Sequence, residues 1–211
     1  TNLGVIDNGN PDNLFKAENT WTPTNTIGNH IALYTNGGVE RGKNYDANQM
    51  NISTYSSIEF KINDKIKSVI GLRAENFVQK YTGENSGGTV KYDDEKVIDK
   101  LDIFPSTNFI YSLKENSNLR LAYSKTTARP SFKEVSIAEI YDPLSNMTFN
   151  GNINLKPSYI DNLDLRYELF GEDNELFAIS GFYKSFKDPI ELTYYEASTE
   201  NFQPKNLGNA K

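Results

Sequence analysis

The sequence has no cysteine and a single histidine. Without thiols there are no disulfides, no thiolate metal sites and no thiol nucleophile, a composition compatible with an oxidising envelope compartment. A Ser–His–Asp triad would have to rest on His30 alone, in a segment of ambiguous pattern, and a plain surface or packing histidine is the simpler reading. Positive charge is short as well: 22 Lys and Arg against 28 Asp and Glu give a net charge of −6. With a pI near 4.9, this argues against nucleic acid as a partner. No run approaches the roughly 18 apolar residues of a spanning helix, so any residence in a membrane has to be through strands.

What the sequence does hold is a set of stretches that are apolar on one face. In 52–62, Ile52, Ile58, Phe60 and Ile62 share a parity with small Thr54 and Ser56, while Ser53, Tyr55, Ser57, Glu59 and Lys61 alternate against them. Period two places one set on each side of a strand. After a turn at Asn63, Asp64 and Lys65, the stretch 66–81 sets Ile66, Ile70, Leu72, Ala74 and Val78 against Lys67, Arg73 and Glu75. Pairing of Ile62 with Ile66 would carry the apolar face across that turn, because residues opposite one another share a face. In 160–170, Leu163, Leu165, Tyr167 and Leu169 alternate with Asn162, Asp164, Arg166 and Glu168; beyond a turn at 171–174, Phe177, Ile179, Gly181 and Tyr183 continue the face. A weaker pair runs through 101–113 and 119–123.

The spacing of the connections discriminates between architectures. Those at 63–65, 114–118 and 171–174 are tight, whereas 82–99, 129–159 and the stretch from 187 onward read as long polar loops. A soluble sandwich has no reason to put long loops at every second connection. An outer-membrane barrel does, with short periplasmic turns, long outer loops and strands of about ten residues that are apolar toward lipid and polar toward the lumen. The expected fold is therefore all-β: an antiparallel transmembrane β-barrel segment, a meander of hairpins. Tyr55, Tyr81, Tyr111, Tyr123, Tyr167, Phe170, Phe177 and Tyr183, near strand ends, would suit interfacial girdles. On this placement Glu59, Arg73, Glu75, Arg120, Asp164, Arg166 and Glu168 face the lumen, where opposite charges can satisfy one another across strands.

Signals of chemistry are weak. Asp93-Asp94-Glu95 could be imagined as the paired carboxylates of a glycosidase, but they read as solvated loop. Asp7 to Asn13 is rich in oxygen ligands yet misses the calcium-loop spacing. Asn51-Ile52-Ser53 and Asn146-Met147-Thr148 match glycosylation sequons without further support. Phe132, Tyr141, Phe149 and Tyr159 could stack on a sugar or clamp a chelate above a barrel mouth, or pack among themselves. No catalytic, cofactor, metal or ligand-binding residue is assigned.

Several phrases in the second half resemble one family. Leu119 to Pro130, reading LRLAYSKTTARP, leads into Phe132 and Glu134 and resembles the strand and R-P-x-[FY]-x-E-[LV] loop start of TonB-dependent outer-membrane receptors, especially those common in Bacteroidetes. Gly151-Asn152-Ile153-Asn154-Leu155-Lys156-Pro157 is similar to that family's G-N-P-x-L-K-P, with Ile153 where proline is usual. Asn162 to Glu168 and Phe182 to Glu191 resemble its next hairpin, and Asn206 to Lys211 the approach to the next strand. Tyr45-Asp46-Ala47 and Gly71-Leu72-Arg73-Ala74-Glu75 extend the likeness over about 45–211. Pro130 and Pro157 sit where strands should end, and Gly151 would allow positive φ in the loop.

The resemblance implies a place in a barrel of 22 strands in the cell outer membrane, plugged by an N-terminal domain. Such a receptor imports a scarce nutrient (an iron chelate, vitamin, oligosaccharide or peptide) with energy from the TonB complex, and is not an enzyme. Its partners would be TonB through the plug, the ligand, outer-membrane lipid and, where one caps the barrel, a surface lipoprotein. The chain opens at Thr1 with no charged-then-apolar leader and stops at Lys211 within loop or strand. It is therefore expected to be part of one receptor barrel domain, with a loop-rich lead-in over 1–45, strands and surface loops over 46–211, and the plug and C-terminal strands lying elsewhere. Residues 25–35 could add a strand to that wall, and 1–24 read as loop. The alternative is a soluble or surface-exposed β module binding carbohydrate or serving adhesion, with apolar faces turned toward each other. A small complete barrel would instead require the first and last strands to pair.

Overall fold

The computed structural model describes residues 42, 44–172, 175–195 and 198–211. The loop expected over 1–24, the added strand over 25–35, His30 and the oxygen-rich stretch from Asp7 to Asn13 lie outside the described residues. Arg41–Lys211 is one of two compact units of the chain, and it contains every strand of the described residues.

Seven strands make one meander. In chain order they are β1 (Tyr45–Asn63), β2 (Ile66–Glu84), β3 (Lys91–Lys114), β4 (Ser117–Ala128), β7 (Ser158–Phe170), β8 (Leu176–Lys187) and β11 (Asn209–Ala210). They lie in the order β1-β2-β3-β4-β7-β8-β11, each antiparallel to its neighbours. A second sheet is built from the connections, β5 (Glu139–Asp142) and β6 (Met147–Asn150) between β4 and β7, and β9 (Ile190–Tyr195) and β10 (Ser198–Asn206) between β8 and β11. Its order is β5-β6-β10-β9, and β6 runs parallel to β10. Among the described residues β1 and β11 stand at opposite edges of the meander, which does not meet the requirement of a small closed barrel. No helix of the described residues is long and apolar enough to cross a membrane, which says nothing of crossing by strands.

The ladders carry one apolar face across the whole wall. Ile58 lies opposite Ile70, Phe109 opposite Leu121, Leu121 opposite Leu165, and Tyr167 opposite Ile179. These side chains are exposed: Leu101 is 73% accessible, Ile58 and Ile179 both 62%. A soluble module would have turned them inward. Exposed apolar residues on one face of every wall strand are what a lipid solvent demands. The Ile62–Ile66 pairing is corrected in detail, since a bulge after Lys61 sets Asn63 opposite Ile66; the parity beyond it is as expected. The reason is local: the Asn63 side chain accepts hydrogen bonds from the Lys65 and Ile66 amides, both 2.9 Å, closing a two-residue turn. A similar bulge before Lys114 closes the β3–β4 turn.

The aromatics expected in girdles divide by face, and Phe170, opposite Leu176, lies on the face of Glu168. Tyr111, Tyr123, Tyr167, Phe177 and Tyr183 share the apolar face by register. Tyr55 does not, because it lies opposite Arg73 and shares its face. Tyr81 is buried, stacked on Tyr45 at 5.6 Å between centroids and edge-on to Tyr92 at 6.1 Å.

The loop expected over 82–99 is mostly strand. Its pairing continues to Gly83 opposite Tyr92 and Glu84 opposite Lys91, leaving a short connection at 85–90. Two register shifts interrupt this upper ladder, and Asp94 takes a positive φ of 52° within the second. Asp93-Asp94-Glu95 is thus bulged strand, with Asp94 paired to Lys80. Alternation reports burial of one face, not backbone pairing, so a strand wet on both sides gives no periodic signal. The β3–β4 ladder begins at Ser106, beside Pro105, whose ring cannot donate to it.

Candidate functional site: the inner face and its cap

All seven charged residues expected in the lumen share the face opposite the apolar one. Arg73 lies opposite Tyr55, Arg120 opposite Arg166, Ala122 opposite Asp164 and Asn118 opposite Glu168. Most pair on this face. Glu168 joins Arg120 at 2.6 Å and Arg166 at 3.0 Å, Glu59 joins Lys67 at 2.7 Å, and Glu75 joins Arg73. Asp164 has no partner among the described residues and stays exposed. The sequence locates these residues but not the cation that organises them.

That cation is Arg129, just after β4. Its guanidinium reaches Glu75 at 2.7 Å and Asp102 at 3.7 Å and lies over the Phe77 ring at 4.3 Å. The pairing is mostly buried, where a missing partner is expensive. The residues after Arg129 explain the motif physically. Pro130 is buried at the strand end. Glu134 closes a small turn by accepting from the Ser131 amide and hydroxyl at 2.7 and 2.8 Å. Val135, Ser136 and Ala138 are then buried, as are Phe77, Tyr81, Ile98 and Phe104 of the wall. The Ile137 amide donates to the Tyr81 hydroxyl at 3.3 Å.

The Gly151–Pro157 phrase is the other half of this packing. Gly151 does not take the positive φ expected of it; a Cβ there would fall 2.2 Å from the Ser136 carbonyl oxygen, so glycine is required for close approach. The Asn152 amide donates to the Glu134 carbonyl at 2.7 Å, and its side chain reaches the Pro204 carbonyl at 3.0 Å. Leu155 is buried, and Pro157 is buried immediately before β7. Asn206 clasps the two connections: it accepts from the Lys156 amide at 2.9 Å and donates to the carbonyls of Lys156 and Asp188 at 2.9 and 2.8 Å. Gln203 adds a bond to the Gly151 carbonyl at 3.2 Å. Nothing in the spacing of Asn206 and Gln203 flags them, because their partners lie some 50 residues away.

Of the four aromatics considered for ligand contact, two serve the fold. Phe149 is buried edge-on to Phe202 at 5.5 Å, with Lys133 over its ring at 4.4 Å. The Tyr159 hydroxyl donates to Asp102 at 2.7 Å. Tyr141 remains half exposed on the β5–β6 hairpin, donating to Asn146 at 2.8 Å. In that hairpin the Ser145 hydroxyl and the Leu144 amide hold the Asp142 carboxyl below its ordinary range. Openings among the described residues include a cleft of about 380 Å³ bordered by Arg129, Glu134, Ser158 and Glu191, and an apolar groove of about 320 Å³ between Met147, Leu192, Tyr194 and Phe202. Among the described residues no group of His, Asp or Glu side chains is gathered as a metal site.

Comparison with known proteins places the geometry. The chain matches the outer membrane protein beta-barrel family over residues 14–211. No curated protein matches it. In fold it is similar to the hemophore receptor HasR of Serratia marcescens, solved as a double mutant with its hemophore HasA and heme, at 14% identity and a TM-score of 0.63, over 77% of this chain and 30% of that one. The copper transporter OprC is similar at 16% identity and a TM-score of 0.56, over 77% and 24%. The FrpB iron transporter of Neisseria meningitidis, F3-3 variant, follows at 14% and 0.53, over 79% and 23%. At such identities the likeness is one of fold, and this chain spans less than a third of each of these proteins.

Proposed function

This chain belongs to the outer membrane protein beta-barrel family, and we propose that it is a stretch of wall, with its surface connections, from a TonB-dependent receptor. Its place is the cell outer membrane. The receptor would take up a scarce nutrient, with the connections meeting the ligand, the inner face lining its path, and the TonB complex acting through a plug. The observation that carries the reading is the division of the wall: a continuous exposed apolar face on one side and charges, most of them paired, on the other. Support for uptake as the activity comes from the motif resemblance and from solved proteins of this fold that are themselves named a hemophore receptor, an iron transporter and a copper transporter. Nutrient identity, and any lipoprotein seated on the connections, belong to the same proposal.

The test is expression of the 211 residues with and without detergent, followed by size-exclusion chromatography and far-ultraviolet circular dichroism. With an apolar face and sheet edges exposed, the chain should aggregate in water and become β-rich and monodisperse in detergent. A monodisperse β-rich monomer in plain buffer would sink the membrane reading and restore the soluble module.

A further inference from the structure

Resting on that reading, we propose that the two long connections are one hinged cap, rooted at Arg129 and clasped by Asn206, which sits closed over the inner face of β2 and β3 and moves as a single body. The first support is that the connections are fused. The parallel ladder sets Asn201 and Phe202 beside Thr148 and Phe149. The side-chain amides of Asn152, Gln203 and Asn206 tie the remainder together. Neither connection can rise while the other stays.

The seat on the wall is of a different kind. No backbone hydrogen bond among the described residues joins the cap to β2 or β3. The ties are made by side chains: Arg129 on Glu75, Asp102 and Phe77, the Tyr81 hydroxyl under the Ile137 amide, and the Ser86 hydroxyl on Glu139 at 3.1 Å. Side-chain seats can be broken and remade without unravelling a sheet, whereas the clasp within the cap includes backbone pairing.

Closure also has a counterweight. Buried near the seat are polar atoms without a hydrogen-bond partner: both amide atoms of Gln79 and Nε of Arg129. Gln79 is fully buried. Opening returns these atoms to water and so offsets part of whatever apolar burial the seat gives up around Phe77 and Tyr81. A closed state opposed in this way is set to open when a ligand competes for the seat. The second connection has matching roots, where the Asp188 amide bonds the Gly208 carbonyl at 2.7 Å and both residues take positive φ.

Hydrogen exchange read by mass spectrometry on the full-length protein in detergent micelles tests this. Arg129→Ala should speed exchange of amides in 131–157 and in 198–206 together, at least tenfold, with the β1–β2 and β7–β8 ladders unchanged. In a background of N152A, Q203A and N206A, which leaves the β6–β10 ladder in place, the same change should speed 198–206 less than it does with the clasp intact. Acceleration confined to 131–157 with the clasp intact would overturn the proposal. If Arg129→Ala loosens the wall too, Arg129→Lys, which keeps the charge but not the fork, should give a smaller paired rise in both connections; wall and cap rising equally there would also overturn it. The exchange pattern is read within the folded protein, so its outcome is separate from the detergent-dependence test of the membrane reading.

Discussion

The wall has two halves that reach the space beyond the bilayer by different means. β1 and β2 have 19 residues each and β3 has 24, whereas β4, β7 and β8 have 12 or 13. An apolar band about 25 Å tall crossed at a tilt needs only about ten residues per strand. The long half therefore keeps its ladder going well past the band. The short half ends near it and hands the chain to connections that fold back onto the inner face of the long half. The difference shows that extension beyond the membrane can be held by backbone pairing alone, with bulges to absorb twist, or by a packed cap needing its own small core and buried ion pair. One solution is insensitive to the identity of most side chains, and the other depends on a few.

The comparison can be broken at the cap. Arg129→Ala leaves Glu75 and Asp102 with less cation than they need, and should cost about 3 kcal/mol in a denaturant titration in detergent, near the low end for a disrupted buried pair because Arg73 still holds Glu75. Lys80→Ala, which removes the Asp94 pair on the exposed overhang, should cost at most about 1 kcal/mol. Equal losses at the two sites would mean the halves are held alike.

The lipid face sharpens the contrast in depth. An Arg in place of Leu165, within the apolar face of the short half, should destabilise the folded protein by about 2–4 kcal/mol in lipid vesicles. The same change at Met50, high on β1, should cost about 0–1 kcal/mol. Comparable costs would argue that the band has been placed wrongly.

Gly151→Ala puts a methyl against the Ser136 carbonyl and should cost about 1–3 kcal/mol as overpacking, read by faster proteolysis of 131–157. Gly181→Ala, where a Cβ would meet nothing within 4 Å, should leave proteolysis of the connections as it is. The smallest effect is pH dependence of the β5–β6 hairpin. The Asp142 carboxyl is held low by Ser145 and Leu144, so its contribution is complete above the unfolded carboxylate range and lost as pH falls through the lower folded value. Amide exchange at 143–147, corrected for the intrinsic pH dependence of exchange, should rise only on acidification below about pH 4; no change in the Asp142→Asn variant would complete the assignment.

Legibility in the sequence follows physical cause. Ile58, Leu165 and Ile179 are readable because lipid on one side and water on the other impose period two. The paired charges of the inner face come with the same parity. The strand residues 82–84 and 91–97 at the tips of β2 and β3 are not readable, since neither face is buried there and the contrast that alternation reports is missing, and the girdle expectation misplaces Tyr55 because proximity to a strand end says nothing about face. At the cap, the motif around Arg129 marks a special place without saying what it holds. Positive φ is the wrong reason for glycine at 151, since its close approach to Ser136 depends on a neighbour 15 residues earlier.

By itself, then, the sequence determined that this chain is a one-sided meander of strands with tight turns at one end, because those features depend on residues next to each other along the chain and on the solvent each face meets. Only the tertiary structure decided that two connections become one cap, that Arg129 seats it between Glu75 and Asp102, and that Asn206 clasps it. Those contacts join residues some 20 to 50 positions apart, and their partners are chosen by how the ladders bring them together in space.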